Sequence, residues 1–312
     1  MMATDSPATA YLPGLSPVDD RPSRIGETTL AYKPTGDILT KSTGFMDAYD
    51  YTLNPYSGCS FGCTYCYAAF FSRDTEKRDT WGYWVNVKEN AVELLQKRLN
   101  RAPDALDDKL IYMSSVTDPY QPVERELQLT RRILEVMAEG HSPKLVVQTR
   151  SPDVVRDCDL FQRIEDNGGR VQVNMTVTTD DEDIRRTFEP FCPANHVRLE
   201  AIKQVQAEGI DACITMTPLL IVNSPYAFAD HLVETGVKKF IAQPFHFNRG
   251  KFVANTRQKA FDLVAEKLEC DPANFRDEYL AHYKENFDVI KDVLTENGLG
   301  LGEGKDGFKP PF

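Results

Sequence analysis

The chain has 312 residues, with 36 Lys and Arg against 47 Asp and Glu for a net charge of −11; 41% of residues are hydrophobic, 27% are charged, and 19 are proline. This ordinary globular composition allows one α/β barrel or two smaller domains. Its longest apolar stretch, 217–222, falls far short of the roughly 18 residues that a membrane-spanning helix needs, and the acidic balance makes nucleic acid an unlikely partner, leaving at most a local basic groove. Residues 1–24 carry neither an early basic cluster nor an apolar signal-peptide core, so a cytoplasmic location and no membrane association are expected. Residues 1–45, rich in Pro, Ser, Thr and Asp without a sustained apolar period, suggest an extended or partly disordered arm.

From Tyr51 onward β-type runs alternate with helical ones. A first strand is expected over 51–55, and the clearest further strands over 109–115, 144–150, 170–178, 211–220 and 237–247. Val87, Ala91, Leu94, Leu95 and Leu99 fall on one helical face, as do Val197, Ala201 and Val205. Such alternation implies a parallel sheet with helices packed outside it, and Leu145-Val146-Val147 suits a strand covered on both faces. Phe275, Tyr279, Tyr283, Phe287 and Leu294 predict a C-terminal helix packed on the barrel, followed by a loose tail over 298–312. The expected organisation is thus an arm over 1–45, a barrel core over 46–250 and a helical extension with a tail over 251–312.

Seven cysteines are present, and Cys59, Cys63 and Cys66 form a CxxxCxxC cluster just after the first predicted strand. Clustered cysteines in such a chain suggest a metal before a disulfide. Thiolates favour zinc and iron-sulfur centres, and Gly58 and Gly62 let the loop wrap without Cβ clashes. No neighbouring Cys or His supplies a fourth ligand. Three ligands on a 4Fe-4S cluster leave one iron open to a small molecule, whereas a distant Cys or His would complete a zinc loop on a non-catalytic interaction module. Cys158, Cys192, Cys213 and Cys270 are scattered and suit isolated core or surface thiols.

The CxxxCxxC spacing, with an aromatic before its last cysteine, resembles the signature of radical S-adenosylmethionine (SAM) enzymes. Residues 54–68, Thr117-Asp118-Pro119-Tyr120-Gln121-Pro122-Val123-Glu124 and Phe188-Glu189-Pro190 followed by Arg198-Leu199-Glu200-Ala201-Ile202 resemble the branch similar to spore photoproduct lyase. The resemblance implies a partial (β/α)6 TIM-type barrel of parallel strands and outer helices. It also implies a 4Fe-4S cluster on Cys59, Cys63 and Cys66, with SAM on the open iron, an external electron donor of the flavodoxin or ferredoxin type, and a small-molecule, peptide or nucleoside substrate. Tyr65 then matches the adenine-contacting aromatic, and Arg150 a lysine that pairs the SAM carboxylate. Thr117 and Asp118 match residues at the SAM amino group or ribose, with Thr178 and Thr179 at the next strand end. Tyr67 matches a lyase tyrosine and is a catalytic candidate. Ser115 occupies the position of the lyase's hydrogen-donating cysteine; a serine hydroxyl is a far poorer hydrogen-atom donor, which argues against thymine-dimer repair. Gln243, His246 and Asn248, near the end of the last expected strand, would face the same mouth.

Overall fold

The computed structural model describes residues 21–247, 256–271 and 273–312; Asn248 and the first part of the expected arm, 1–20, lie outside them. Twelve strands are formed among the described residues: β1 (Arg24–Ile25), β2 (Thr28–Lys33), β3 (Leu39–Lys41), β4 (Tyr51–Leu53), β5 (Tyr56–Ser57), β6 (Trp84–Lys88), β7 (Leu110–Met113), β8 (Lys144–Thr149), β9 (Arg170–Thr176), β10 (Asp211–Met216), β11 (Lys239–Ala242) and β12 (Gly300–Glu303). The main sheet runs β12-β11-β10-β9-β8-β7-β4-β3. Strands β4 through β12 in this sheet are parallel neighbours, and β3 caps one end antiparallel to β4. The end strands do not pair with each other, so the barrel is partial, as the family resemblance implies. No helix of the described residues is long and apolar enough to cross a membrane.

Alternation along the strands divides the core in two. Leu145 and Val147 of β8 and Val171, Val173 and Met175 of β9 belong to the main core, against which helices Cys158–Asp166 and Asn195–Ala207 pack. The opposite face, the barrel lumen, carries a smaller apolar cluster of Tyr49, Tyr112, Val146, Cys213, Ile241 and Phe308. Polar residues fill the rest of this face. Gln148 accepts from the Tyr112 hydroxyl at 2.7 Å and donates to Thr176 and Thr215 at 2.8 and 3.0 Å, while Lys239 donates to Gln172 at 2.8 Å and Gln172 to Asn174 at 2.8 Å.

Four expectations are corrected. The second half of the expected arm contributes β1, β2 and β3, because Thr28 and Leu30 are buried and β2 pairs in parallel with the distant β6. Val87 belongs to β6, paired with Tyr32 and Tyr56, and the helix begins at Ala91; the apolar spacing continues through a change of element. The expected loose tail supplies β12 on the edge of β11, followed by the short helix Gly304–Gly307. The barrel sheet therefore takes both end strands from outside 46–250. The strands expected over 211–220 and 237–247 are also shorter, ending at Met216 and Ala242. The C-terminal helix runs Phe275–Glu296, burying Tyr279, Tyr283, Phe287 and Leu294.

The tail is glycine-rich because its backbones touch. A Cβ on Gly302 would lie 2.7 Å from the Gly307 Cα, whereas one on Gly300 would meet nothing within 4 Å. Gly302→Ala is expected to lower stability by about 1–3 kcal/mol, and Gly300→Ala to change it by less than about 0.5 kcal/mol. Urea midpoints check the pair; equal midpoints would mean that the segment does not dock.

Candidate metal and cofactor centre

The cysteine loop leaves the small sheet β1-β2-β6-β5 at β5. Gly58 has φ +83° and lies so close to β6 that a Cβ would stand 2.5 Å from the Trp84 carbonyl oxygen, a position only glycine tolerates. Side chains beyond the end of β7 clamp the loop. Thr117 donates to the Gly58 carbonyl at 2.7 Å, and Gln121 accepts from the Ser60 amide at 2.9 Å. On the far side the Thr64 amide donates to the Phe188 carbonyl at 2.8 Å. The short 3-10 helix Tyr67–Phe71 ends the loop.

Cys59 and Cys63 are buried and Cys66 half-buried, all as free thiols. Burial pushes the Cys59 thiol well up and Cys66 up to about 12. Cys63 is drawn below its ordinary value by a hydrogen bond with Cys192, against the effect of burial and with help from Arg150. Among the described residues no three Cys, His, Asp or Glu side chains converge to hold one metal ion. A single zinc with bonds of about 2.3 Å needs sulfurs roughly 3.8 Å apart, and the loop does not bring its thiols together in that way. An iron-sulfur cluster spreads its cysteines over separate irons. The three free cysteines and the glycine-lined loop suit a cluster held by three cysteines.

Asp118, Arg150, Tyr65 and Thr178 are brought together next to this loop. Asp118 is buried and ties two strand ends, accepting from Thr149 Oγ1 at 2.7 Å and from the Tyr120 and Arg150 amides at 2.9 Å each. Burial raises its pKa, and these three bonds oppose the rise. Arg150 donates from Nη1 to the Tyr65 hydroxyl at 2.8 Å and to Glu189 Oε1 at 3.0 Å. The Tyr65 hydroxyl donates to the same carboxylate at 2.5 Å and Thr178 at 2.8 Å. Arg198, itself fully buried, closes the group with a 2.6 Å ion pair to Glu189 Oε2. Burial would raise the Glu189 pKa, but Arg198 and Arg150 hold it down to about 2, so the carboxylate is charged at neutral pH.

Glu189 and Arg198 are the residues whose role the sequence did not disclose. The available signal was a carboxylate between Phe188 and Phe191, where an unpaired charge would be costly. Tyr67 and Ser115 are also adjacent, the Tyr67 hydroxyl donating to the Ser115 carbonyl, and Asn54 approaches the Ser115 hydroxyl at 3.4 Å. His246 packs edge-on to Tyr67 at 5.9 Å and pairs with Gln243 at 3.2 Å; burial lowers its pKa, leaving it neutral at pH 7. Three expectations change. Thr179 turns away to donate to the Ile221 carbonyl at 2.6 Å, and Thr117 is committed to the loop backbone. Cys192 is not an isolated thiol, standing 3.7 Å from Cys63.

The chain is 34% identical over 170 residues to an uncharacterised protein of Methanocaldococcus jannaschii, which covers 54% of this chain and 60% of that protein. It is 28% identical over 211 residues to a protein of Acidianus two-tailed virus, 65% of each being covered, and 28% identical to a Mycobacterium bovis protein of which it spans half. Among solved structures, spore photoproduct lyase with a dinucleoside photoproduct superposes with a TM-score of 0.58 at 15% identity, over 88% of this chain and 81% of that one. At that identity the likeness is one of fold, the partial TIM barrel. The family model for the radical SAM superfamily matches residues 53–231, more than half of the sequence, and the chain belongs to that superfamily.

Proposed function

We propose that the protein is a radical SAM enzyme acting on a small-molecule, peptide or nucleoside substrate, with Cys59, Cys63 and Cys66 holding a 4Fe-4S cluster and an external electron donor of the flavodoxin or ferredoxin type reducing it. The observation that carries this reading is the three-cysteine loop set beside a guanidinium with donors to spare. Once bound, the cluster and SAM supply a one-electron cleavage of the sulfonium to methionine and a hydrogen-abstracting 5'-deoxyadenosyl radical. The chain's own residues bind and orient. Arg150 Nη1 is committed to Tyr65 and Glu189, while Nη2 and Nε have no partner among the described residues, leaving an edge suited to the SAM carboxylate. Glu189 fixes the height of that fork and the tilt of Tyr65 for the adenine. Asp118 holds the Arg150 backbone, and Thr178 completes the carboxylate's donors. Tyr67 and Ser115, with neutral His246 against the tyrosine ring, make the polar side of the mouth where substrate would meet the radical.

Anaerobically reconstituted protein given dithionite and SAM is expected to form 5'-deoxyadenosine, measured by mass spectrometry, and Cys63→Ala to form none; one zinc per chain in place of iron would overturn the reading. Arg150→Gln should weaken SAM binding about ten- to hundredfold, as expected for a lost charge-assisted hydrogen bond, with the iron content of the wild type, by equilibrium dialysis of labelled SAM. With serine at position 115, no repair of spore photoproduct in oligonucleotides is expected; intact repaired thymines above background would reverse that view.

A further inference from the structure

Cys192 lies outside the CxxxCxxC loop, on the turn after helix Glu182–Phe188, yet its sulfur is 3.7 Å from the Cys63 sulfur and 3.8 Å from the Phe61 carbonyl oxygen. The turn is firmly built. The Cys192 amide donates to the Glu189 carbonyl at 3.1 Å, and Arg185 Nη1 donates to the Cys192 carbonyl at 2.8 Å and to the Glu189 carbonyl at 3.1 Å. The neighbouring Phe191 ring rests on Gly62, where a Cβ would lie 2.9 Å from it. A buried thiol is thus held against one cysteine of the loop. Cys192 as a fourth ligand of a single ion is not supported, since Cys59 and Cys66 do not join the pair around one point. As a fourth cluster ligand it would occupy the iron that SAM needs.

We propose that Cys192 is a positioning residue of the cluster, donating an S–H···S hydrogen bond to Cys63 and thereby raising the cluster's reduction potential. The inference rests on Cys63 being a cluster ligand. A ligating cysteine has given up its proton and can only accept. The Cys192 proton then has two acceptors within reach, a neutral carbonyl and a charged sulfur, and the charged one forms the stronger bond. A donor to a ligand sulfur stabilises the more negative, reduced cluster over the oxidised one, and hydrogen bonds to the sulfurs are among the determinants of cluster potential. The residue is therefore coupled to the electron-transfer step without touching SAM or substrate.

The test uses anaerobically reconstituted wild type, Cys192→Ala and Cys192→Ser, with iron content and the midpoint potential from a reductive titration followed by the electron paramagnetic resonance of the reduced cluster. Full iron in all three, a more negative midpoint in Cys192→Ala, and a return to the wild-type value or above in Cys192→Ser are expected, because a hydroxyl restores the donor. An unchanged midpoint in Cys192→Ala at full iron overturns the proposal and leaves the cluster reading intact. Loss of iron in both variants overturns it by making Cys192 a ligand or a strut of the loop. Wild type without iron overturns this proposal together with the reading beneath it.

Discussion

Glu189 holds a full negative charge with no exposure to solvent, and placing a carboxylate there without partners would cost several kcal/mol. The cost is offset by three hydrogen-bond donors and one ion pair that come from four places: Tyr65 on the cysteine loop, Arg150 past the end of β8 and Thr178 past β9 as donors, and Arg198 on helix Asn195–Ala207 as the ion pair. Each partner is fixed in turn. Arg198 also bonds the carbonyls of Thr176 and Pro193 at 3.1 and 2.9 Å, and the Arg150 backbone is tied to Asp118. One buried charge thereby sets the distance between the cysteine loop and two neighbouring strand ends. Removing it would leave Arg198 charged in the core, a larger penalty than the loss of any single hydrogen bond.

The barrel lumen prepares that arrangement from below. Gln148 is held by Tyr112 on β7, by Thr176 on β9 and by Thr215 on β10, so four adjacent strands share one polar ladder. A half-satisfied ladder would be worse than an apolar lumen, and a shift of one residue in register would turn every one of these side chains to the opposite face. The ladder therefore fixes the relative height of the strands, and with it the height at which Ser115, Asp118 and Arg150 emerge beyond them. Precision at the mouth comes from register in the lumen.

Local pattern made the central strands and the cysteine loop legible, because both are written in short-range spacing. β8, β9 and the C-terminal helix bury continuous or periodic apolar runs, and three cysteines with two glycines within nine residues point to a metal-binding loop. What stayed hidden depends on distant partners. β2 gains its pairing from β6, and β12 is a strand because β11 has an open edge; neither has a pattern strong enough by itself. Glu189 lay within a recognised segment, but its role required Arg150 and Tyr65 to fold onto it. Cys192 is 129 residues from Cys63, and no spacing rule links positions so far apart.

Charge shows the same division between whole-chain and local properties. A net charge of −11 describes the field far from the protein, which discourages polyanions. At the cysteine loop the balance differs: Arg150 acts on Cys63, and Arg257 acts on Cys66 and Cys63, its guanidinium held by the Arg78 carbonyl at 3.1 Å. These cations would oppose the charge of any thiolates formed in the buried loop. Glu189 neutralises part of that excess, so the centre does not become a general anion trap. Since Glu189 engages Arg150 through Nη1, what is left is a planar, directional edge, which under the proposed function would face a carboxylate rather than a phosphate backbone.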